Sequence, residues 1–257
     1  MIRTQQKAHF DTFGYLLMRQ LFAKDEIREI TQEADRLLER EREGRPFAKE
    51  GQSMAPFVEK CKLLTELVED DRIYGTIESL IGPHFVWAGS EGNVTVRTEH
   101  RWHADRPGRE ELGYTRVKVM LYLDSTTRET GALRVIPGSH RMPLHTDLYP
   151  FNAHQADPDF QPFGVPGAET PSVALESDPG DVVFFNQSLF HAVYGGWAGR
   201  RYVALKFAAT PETDEEEAAL FRHASRHVHE AFQSSDSPRI QAMVQPLVQL
   251  GAGKVYD

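Results

Sequence analysis

Trp102-His103-Ala104-Asp105 and, far downstream, His191 supply two imidazoles and one carboxylate. That donor set occupies one face of a mononuclear non-haem iron and leaves three positions for a chelating co-substrate and dioxygen. In an extended segment His103 and Asp105 share a face about 6.6 Å apart, at a rise of about 3.3 Å per residue, so both can turn toward one ion. The third ligand must then come from a distant strand folded back beside the first. His191 meets that requirement, because it follows a strand-like run over 181–190 and precedes the pair Arg200-Arg201.

A second triplet, His145-Thr146-Asp147, has the same spacing. The first is preferred because the apolar run 117–123 follows it and can form an interior strand. The second sits among Pro, Asp and Asn and reads as loop. A single histidine after an apolar strand is ordinarily a hydrogen-bonded structural residue, and only the ordered set with a following arginine shifts that balance. His140 belongs to a turn motif and reads as structural. His223 and His227 stand four apart on an expected helix, a spacing that can bind metal, but no third ligand accompanies them, so they read as solvated or packed. Glu215, Glu216 and Glu217 are a charged first helical turn, favoured by the helix dipole.

The elements that must position these residues fall into an order. Residues 13–18 read as an opening strand, and 23–43 as an amphipathic helix with Ile27, Ile30, Ala34, Leu37 and Leu38 on one face. Residues 62–81 form a second helical pattern, closed by Gly82-Pro83. Short β-rich runs follow over 85–88, 94–97, 116–123, 131–135, 172–175, 181–186 and 201–208, separated by turn signals such as Pro137-Gly138 and Pro179-Gly180-Asp181. Residues 218–232 read as helix, followed by a tail. The expectation is a mainly β fold with flanking helices: a single domain over 1–257, with helical support to about 84, the β core over about 85–210, and a helix and tail beyond about 211.

With 257 residues, 40% hydrophobic and 26% charged, the chain can bury one sizeable core. Cys61 is the only cysteine, which excludes an intramolecular disulfide and suits a reducing compartment. No apolar stretch approaches the ~20 residues of a membrane span, and there is no signal-like segment, so a cytoplasmic protein is expected. A net charge of −9 argues against general nucleic-acid binding.

Taken in order, Phe13-Gly14-Tyr15-Leu16-Leu17, the His103/Asp105 motif, Gly131-Ala132-Leu133-Arg134-Val135-Ile136-Pro137-Gly138-Ser139-His140, Pro179-Gly180-Asp181, His191 and Arg200-Arg201-Tyr202 resemble the phytanoyl-CoA dioxygenase family of Fe(II)- and 2-oxoglutarate-dependent oxygenases. The resemblance implies a double-stranded β-helix (jelly-roll, cupin-like) core, Fe(II) held by His103, Asp105 and His191, 2-oxoglutarate held by an arginine, and O2 as oxidant. Strand alternation puts only one of Arg200 and Arg201 inside; analogy with the family's arginine opening the last core strand selects Arg200, with Tyr202 following it inward.

Two departures stand out. Arg134 replaces a common aromatic, and Val193 stands where a Ser or Thr would reach 2-oxoglutarate, so a hydroxyl of Tyr202, Thr95 or Tyr122 would have to replace it. Retention of Asp105 favours hydroxylation over halogenation, because halogenating relatives lose that carboxylate.

For substrate, residues 97–141 carry nine Arg or Lys against six acids. Paired surface charges could account for that excess; otherwise it favours a small anionic molecule. Lys118, Met120 and Arg134 are the candidate pocket residues, and residues 143–167 a candidate lid. Two other readings stay open: a noncatalytic jelly-roll metal-binding protein, and a cupin-like metalloenzyme that does not use 2-oxoglutarate. Neither needs Arg200.

Overall fold

The computed structural model describes residues 2–47, 51–153, 160–222 and 228–251. The chain opens with α1 (Thr4–Phe13), β1 (Tyr15–Met18), α2 (Lys24–Glu41) and β2 (Gln52–Met54), then α3 (Lys62–Glu69) and α4 (Asp71–Ile81). The β-rich part holds β3 (Phe85–Thr95), β4 (His100–His103), β5 (Arg116–Tyr122) and β6 (Leu133–Val135), short helices α5 (Leu144–Leu148) and α6 (Pro150–Ala153), then β7 (Val173–Leu175), β8 (Val182–Asn186), β9 (His191–Val193) and β10 (Arg200–Ala209). Helices α7 (Asp214–Phe221), α8 (Glu230–Gln233) and α9 (Pro238–Gly251) follow.

The strands build two antiparallel sheets, one ordered β1-β8-β5-β10-β3-β2 and the other β4-β9-β6-β7. This is the jelly-roll core expected from the sequence. In the larger sheet β10 is flanked on both sides, pairing Tyr202 with Asn93 and with Tyr122. Alternation then sorts side chains by period two. Val117, Val119, Leu121, Val203 and Leu205 point outward into the main core under the helices, while Met120, Tyr122 and Ala204 point inward. Full burial of each such aliphatic side chain contributes about 1.5–3 kcal/mol, so the outer face is where the sheet gains its stability.

Helix α2 docks through the expected stripe of Ile27, Ile30, Ala34, Leu37 and Leu38. The expected single helix over 62–81 is two, because Asp70 leaves helical geometry and its carboxylate accepts from Arg72 N, capping a new start. The runs 85–88 and 94–97 join in one strand, β3, which ends at Thr95. The polar, glycine-rich middle, Gly89 to Asn93, reads as a turn in isolation, but pairing with β10 holds it extended.

Helix α1 was not anticipated. It ends at Gly14 (φ +85°), where an added Cβ would sit 2.5 Å from His140 Nδ1, so the glycine is needed both for backbone sign and for space. The supposed tail contains α9, whose Ile240, Met243, Val244 and Leu247 recur at helical spacing and enter the core. Of the expected helix over 218–232, α7 and α8 are the described parts; His223 and His227 lie outside the described residues. Thr213 caps α7, accepting from Glu216 N above the acidic first turn. Among the described residues no helix is long and apolar enough to cross a membrane.

Candidate active site

Strands β4 and β9 pair in the smaller sheet with His103 opposite His191. That register brings the two imidazoles together, ring centroids 4.2 Å apart and planes tilted by 54°. Each ring is oriented by its own chain: His103 Nδ1 donates to Arg101 O at 2.7 Å and His191 Nδ1 to Leu189 O at 2.9 Å. A carbonyl can only accept, so the proton resides on Nδ1 and the Nε2 lone pair is left to face the cavity. Asp105 Oδ1 lies 3.8 Å from His103 Nε2 and 3.7 Å from His191 Nε2. The three ligand atoms fall within 4.8 Å of one another, a spacing able to hold a metal ion.

Burial first, and the neighbouring His191 second, push the His103 imidazole down to about 4; burial likewise lowers His191. Both are therefore neutral near neutral pH, the form in which an imidazole can bind a metal. Burial opposes ionisation of Asp105, but Lys118 and the two histidines outweigh it and hold the carboxylate well below its usual range. Lys118 Nζ donates to Asp105 Oδ2 at 3.2 Å. Burial likewise opposes the charge on Lys118, and Asp105 and Glu91 reverse that, keeping it an ammonium.

The residue between two of the ligands is clamped. Asn152, on α6, accepts from Ala104 N at 3.2 Å and donates to Ala104 O at 3.0 Å. The first half of the candidate lid is thus tied to the ligand-bearing segment; residues 154–159 lie outside the described part. His145 and Asp147 are not loop residues, since they sit on α5. His145 is 1% exposed, accepting from Gly108 N at 3.2 Å and donating from Nδ1 to Ser139 O at 2.9 Å. Both ring nitrogens are occupied, which makes this second triplet structural.

A cavity of about 440 Å³ opens from the triad, lined from the larger sheet by Glu91, Asn93, Thr95, Lys118, Met120, Tyr122 and Phe185 and from the smaller by Leu133 and Val193. Arg200 and Tyr202 line it too. Arg200 is 4% exposed; its Nη1 donates to Gly131 O at 3.0 Å, and its Nε has no partner among the described residues. Gly131 (φ +91°) has to be glycine here, because a Cβ would lie 2.9 Å from Gly196 Cα and 3.3 Å from Arg200 Nε. The rings of Tyr122 and Tyr202 stand 5.7 and 5.9 Å from the guanidinium carbon. No carboxylate among the described residues pairs with Arg200. A buried guanidinium left in that state marks a place for an anionic group.

Arg201 faces the other way. It binds Asp124 through Nη2 at 2.6 Å and Nε at 3.1 Å, and Asp35 through Nη1 at 2.6 Å.

Arg134 does not reach the cavity. Alternation turns Leu133 inward and Arg134 to the opposite face, where it donates to Ala168 O at 2.6 Å and Arg128 O at 2.8 Å beside the Tyr194 ring. Much of the local basic excess is consumed similarly: Arg116 and Arg222 hold Glu111, and Arg101 holds Glu99. Arg97, Lys118 and Arg200 are the Arg and Lys residues lining the cavity.

Sequence reasoning missed Glu91, Asn93 and His100, all of which line the cavity. His100 stacks on His103 at 4.1 Å. The signal for the first two was the alternation Glu91, Asn93, Thr95, hidden once β3 was read as broken. Thr95 Oγ1 is itself engaged, accepting from Arg97 N at 3.1 Å.

An antiparallel jelly roll in which a His-Asp-His cluster opens onto a cavity lined by Arg97, Lys118 and Arg200 and by Glu91, Glu99 and Asp105 has the makings of a metal-dependent protein. The phytanoyl-CoA dioxygenase family model matches residues 10–195, and the chain belongs to that family. It is 26% identical over 217 residues to the ectoine dioxygenase of Sphingopyxis alaskensis, covering 76% of this chain and 71% of that protein. Among solved structures it is similar to HygX from Streptomyces hygroscopicus, with nickel and 2-oxoglutarate bound (TM-score 0.66, 18% identity, 81% of this chain and 88% of that one). It is also similar to the epimerase SnoN in complex with Fe3+, alpha ketoglutarate and nogalamycin RO (TM-score 0.60, 19% identity, 80% and 83% covered).

Proposed function

We propose that this chain is an Fe(II)- and 2-oxoglutarate-dependent oxygenase that hydroxylates a small anionic metabolite, releasing succinate and carbon dioxide. The observation that carries the reading is Arg200: a buried guanidinium, unpaired by any described carboxylate, on the wall of the same cavity as His103, Asp105 and His191. Two neutral imidazoles and one carboxylate are the donor set suited to Fe(II) with positions left open. When bound there, Fe(II) would supply the means for dioxygen to oxidise 2-oxoglutarate and hydroxylate a substrate carbon.

The protein's own residues do the rest. His103, Asp105 and His191 hold the metal. Arg200 takes the far carboxylate of 2-oxoglutarate as a two-pronged charge-assisted contact, which an unpaired buried carboxylate requires. Tyr122 and Tyr202 stand beside that guanidinium, and their hydroxyls, with Thr95, stand in for the missing hydroxyl at Val193. Met120, Leu133, Phe185 and Val193 supply apolar walls that limit water. Arg97 on the cavity wall supports the expectation of an anionic substrate, Lys118 being already paired with Asp105. Retention of Asp105 supports hydroxylation rather than halogenation.

The test is oxygen-dependent turnover. Incubated with Fe(II), 2-oxoglutarate and air, the protein is expected to form succinate and carbon dioxide in equal amounts, and His191→Ala to form neither. Binding of metal without succinate formation would favour the noncatalytic or the 2-oxoglutarate-independent reading, neither of which uses Arg200.

A further inference from the structure

We infer that Lys118 is a positioning residue for Asp105: its ammonium engages Oδ2 and so presents Oδ1 alone to the point where His103 Nε2 and His191 Nε2 converge. The inference rests on the metal-centre reading above. A carboxylate can bind a metal through one oxygen or both, and binding through both would take one of the three positions that a chelating co-substrate and dioxygen need. The two oxygens of Asp105 are already divided. Oδ1 faces both imidazole nitrogens, at 3.8 and 3.7 Å, and Oδ2 accepts from Lys118 at 3.2 Å. Among the described residues no other side chain hydrogen-bonds either oxygen; Arg106 reaches the backbone carbonyl of Asp105 instead.

Lys118 is well built for holding a carboxylate still. Its strand is interior to the six-stranded sheet, with Phe185 opposite on β8 and Lys206 opposite on β10. Its side chain is 12% exposed. Glu91, across the cavity wall on β3, is ion-paired to Lys206. Asp105, Lys118, Glu91 and Lys206 therefore alternate in sign. Glu91 is held below its usual range chiefly because Lys118 and Lys206 outweigh its burial. Lys118, ion-paired to Asp105 and only slightly exposed, cannot swing away without leaving a largely buried charge uncompensated, so the restraint on Oδ2 is stiff. A neutral donor at position 118 would lack that anchoring.

The test uses the zinc-loaded protein, which is silent in redox chemistry, and reads the carboxylate directly. Infrared difference spectra, zinc-loaded minus metal-free, are taken on protein labelled with 13C at the aspartate side-chain carboxyl; bands absent in Asp105→Asn belong to Asp105. The separation between antisymmetric and symmetric carboxylate stretches is wide for attachment through one oxygen and narrow for attachment through two. The parent and Lys118→Arg are expected to show the wide separation, and Lys118→Met the narrow one. A narrow separation in the parent overturns the inference, and this outcome is readable even if Lys118→Met does not fold. A wide separation in Lys118→Met, equal to the parent's, also overturns it. Absence of any Asp105 band on adding zinc to the parent removes the metal-centre reading itself, and the inference with it.

Discussion

Strands β5 and β10 run through the middle of the larger sheet with two unlike faces. Outward, Val117, Val119, Leu121, Val203, Leu205 and Phe207 are all fully buried under helices and carry no polar side-chain atom. Inward, the same strands present Lys118, Met120, Tyr122, Arg200 and Tyr202 to the cavity. One residue of register separates a face that stabilises the fold from a face that can do chemistry. Arg200 and Arg201 show this most sharply. They are adjacent in sequence, yet among the described residues one is buried without a carboxylate partner and the other is held by Asp124 and Asp35.

Substitutions on the two faces should therefore fail differently. The largest effect belongs to the triad: His103→Ala or His191→Ala should abolish most Fe(II) binding, read by equilibrium dialysis, while leaving the melting transition in place. Phe207→Ala should do the reverse. Its ring packs against Phe85 and Trp87 at 5.8 and 5.2 Å, and its loss should cost about 3–5 kcal/mol in denaturant unfolding with metal stoichiometry unchanged in the folded fraction. His145→Ala strips partners from Gly108 N–H and Ser139 O, so a loss of about 1–3 kcal/mol with Fe(II) binding intact is expected. Equal loss of iron there would mean the wrong triplet had been assigned. Arg201→Ala should be mildest, less than about 1 kcal/mol, because its ion pairs are partly solvated.

The inward and outward faces were legible in sequence where alternation was uninterrupted, as over 116–123. The spacing of His103 and Asp105 did not by itself nominate them, since His145 and Asp147 share it; the ordered set with His191 and the arginine after it did. Arg134 went wrong because the face it occupies depends on where β6 begins, and the turn before it hides that phase. Glu91 and Asn93 were lost for a related reason: Gly89 and Gly92 give the middle of β3 a turn-like composition, and only pairing along β10 makes it a strand. Helix α9 was readable from the helical spacing of Ile240, Met243, Val244 and Leu247 in the expected tail; Pro238 opens the helix, where its missing N–H costs nothing.

The most direct test of the two-face account is an anaerobic titration of the Fe(II) protein with 2-oxoglutarate. It follows the weak visible charge-transfer band of the keto acid chelate in the parent, Arg200→Ala and Arg201→Ala. Arg200→Ala should keep its iron yet lose about 2–5 kcal/mol of co-substrate binding, a roughly 30-fold to several thousand-fold rise in Kd, as when one partner of a buried charge pair is removed. Arg201→Ala should titrate like the parent. A parent without the band, or a loss confined to Arg201→Ala, would contradict the account.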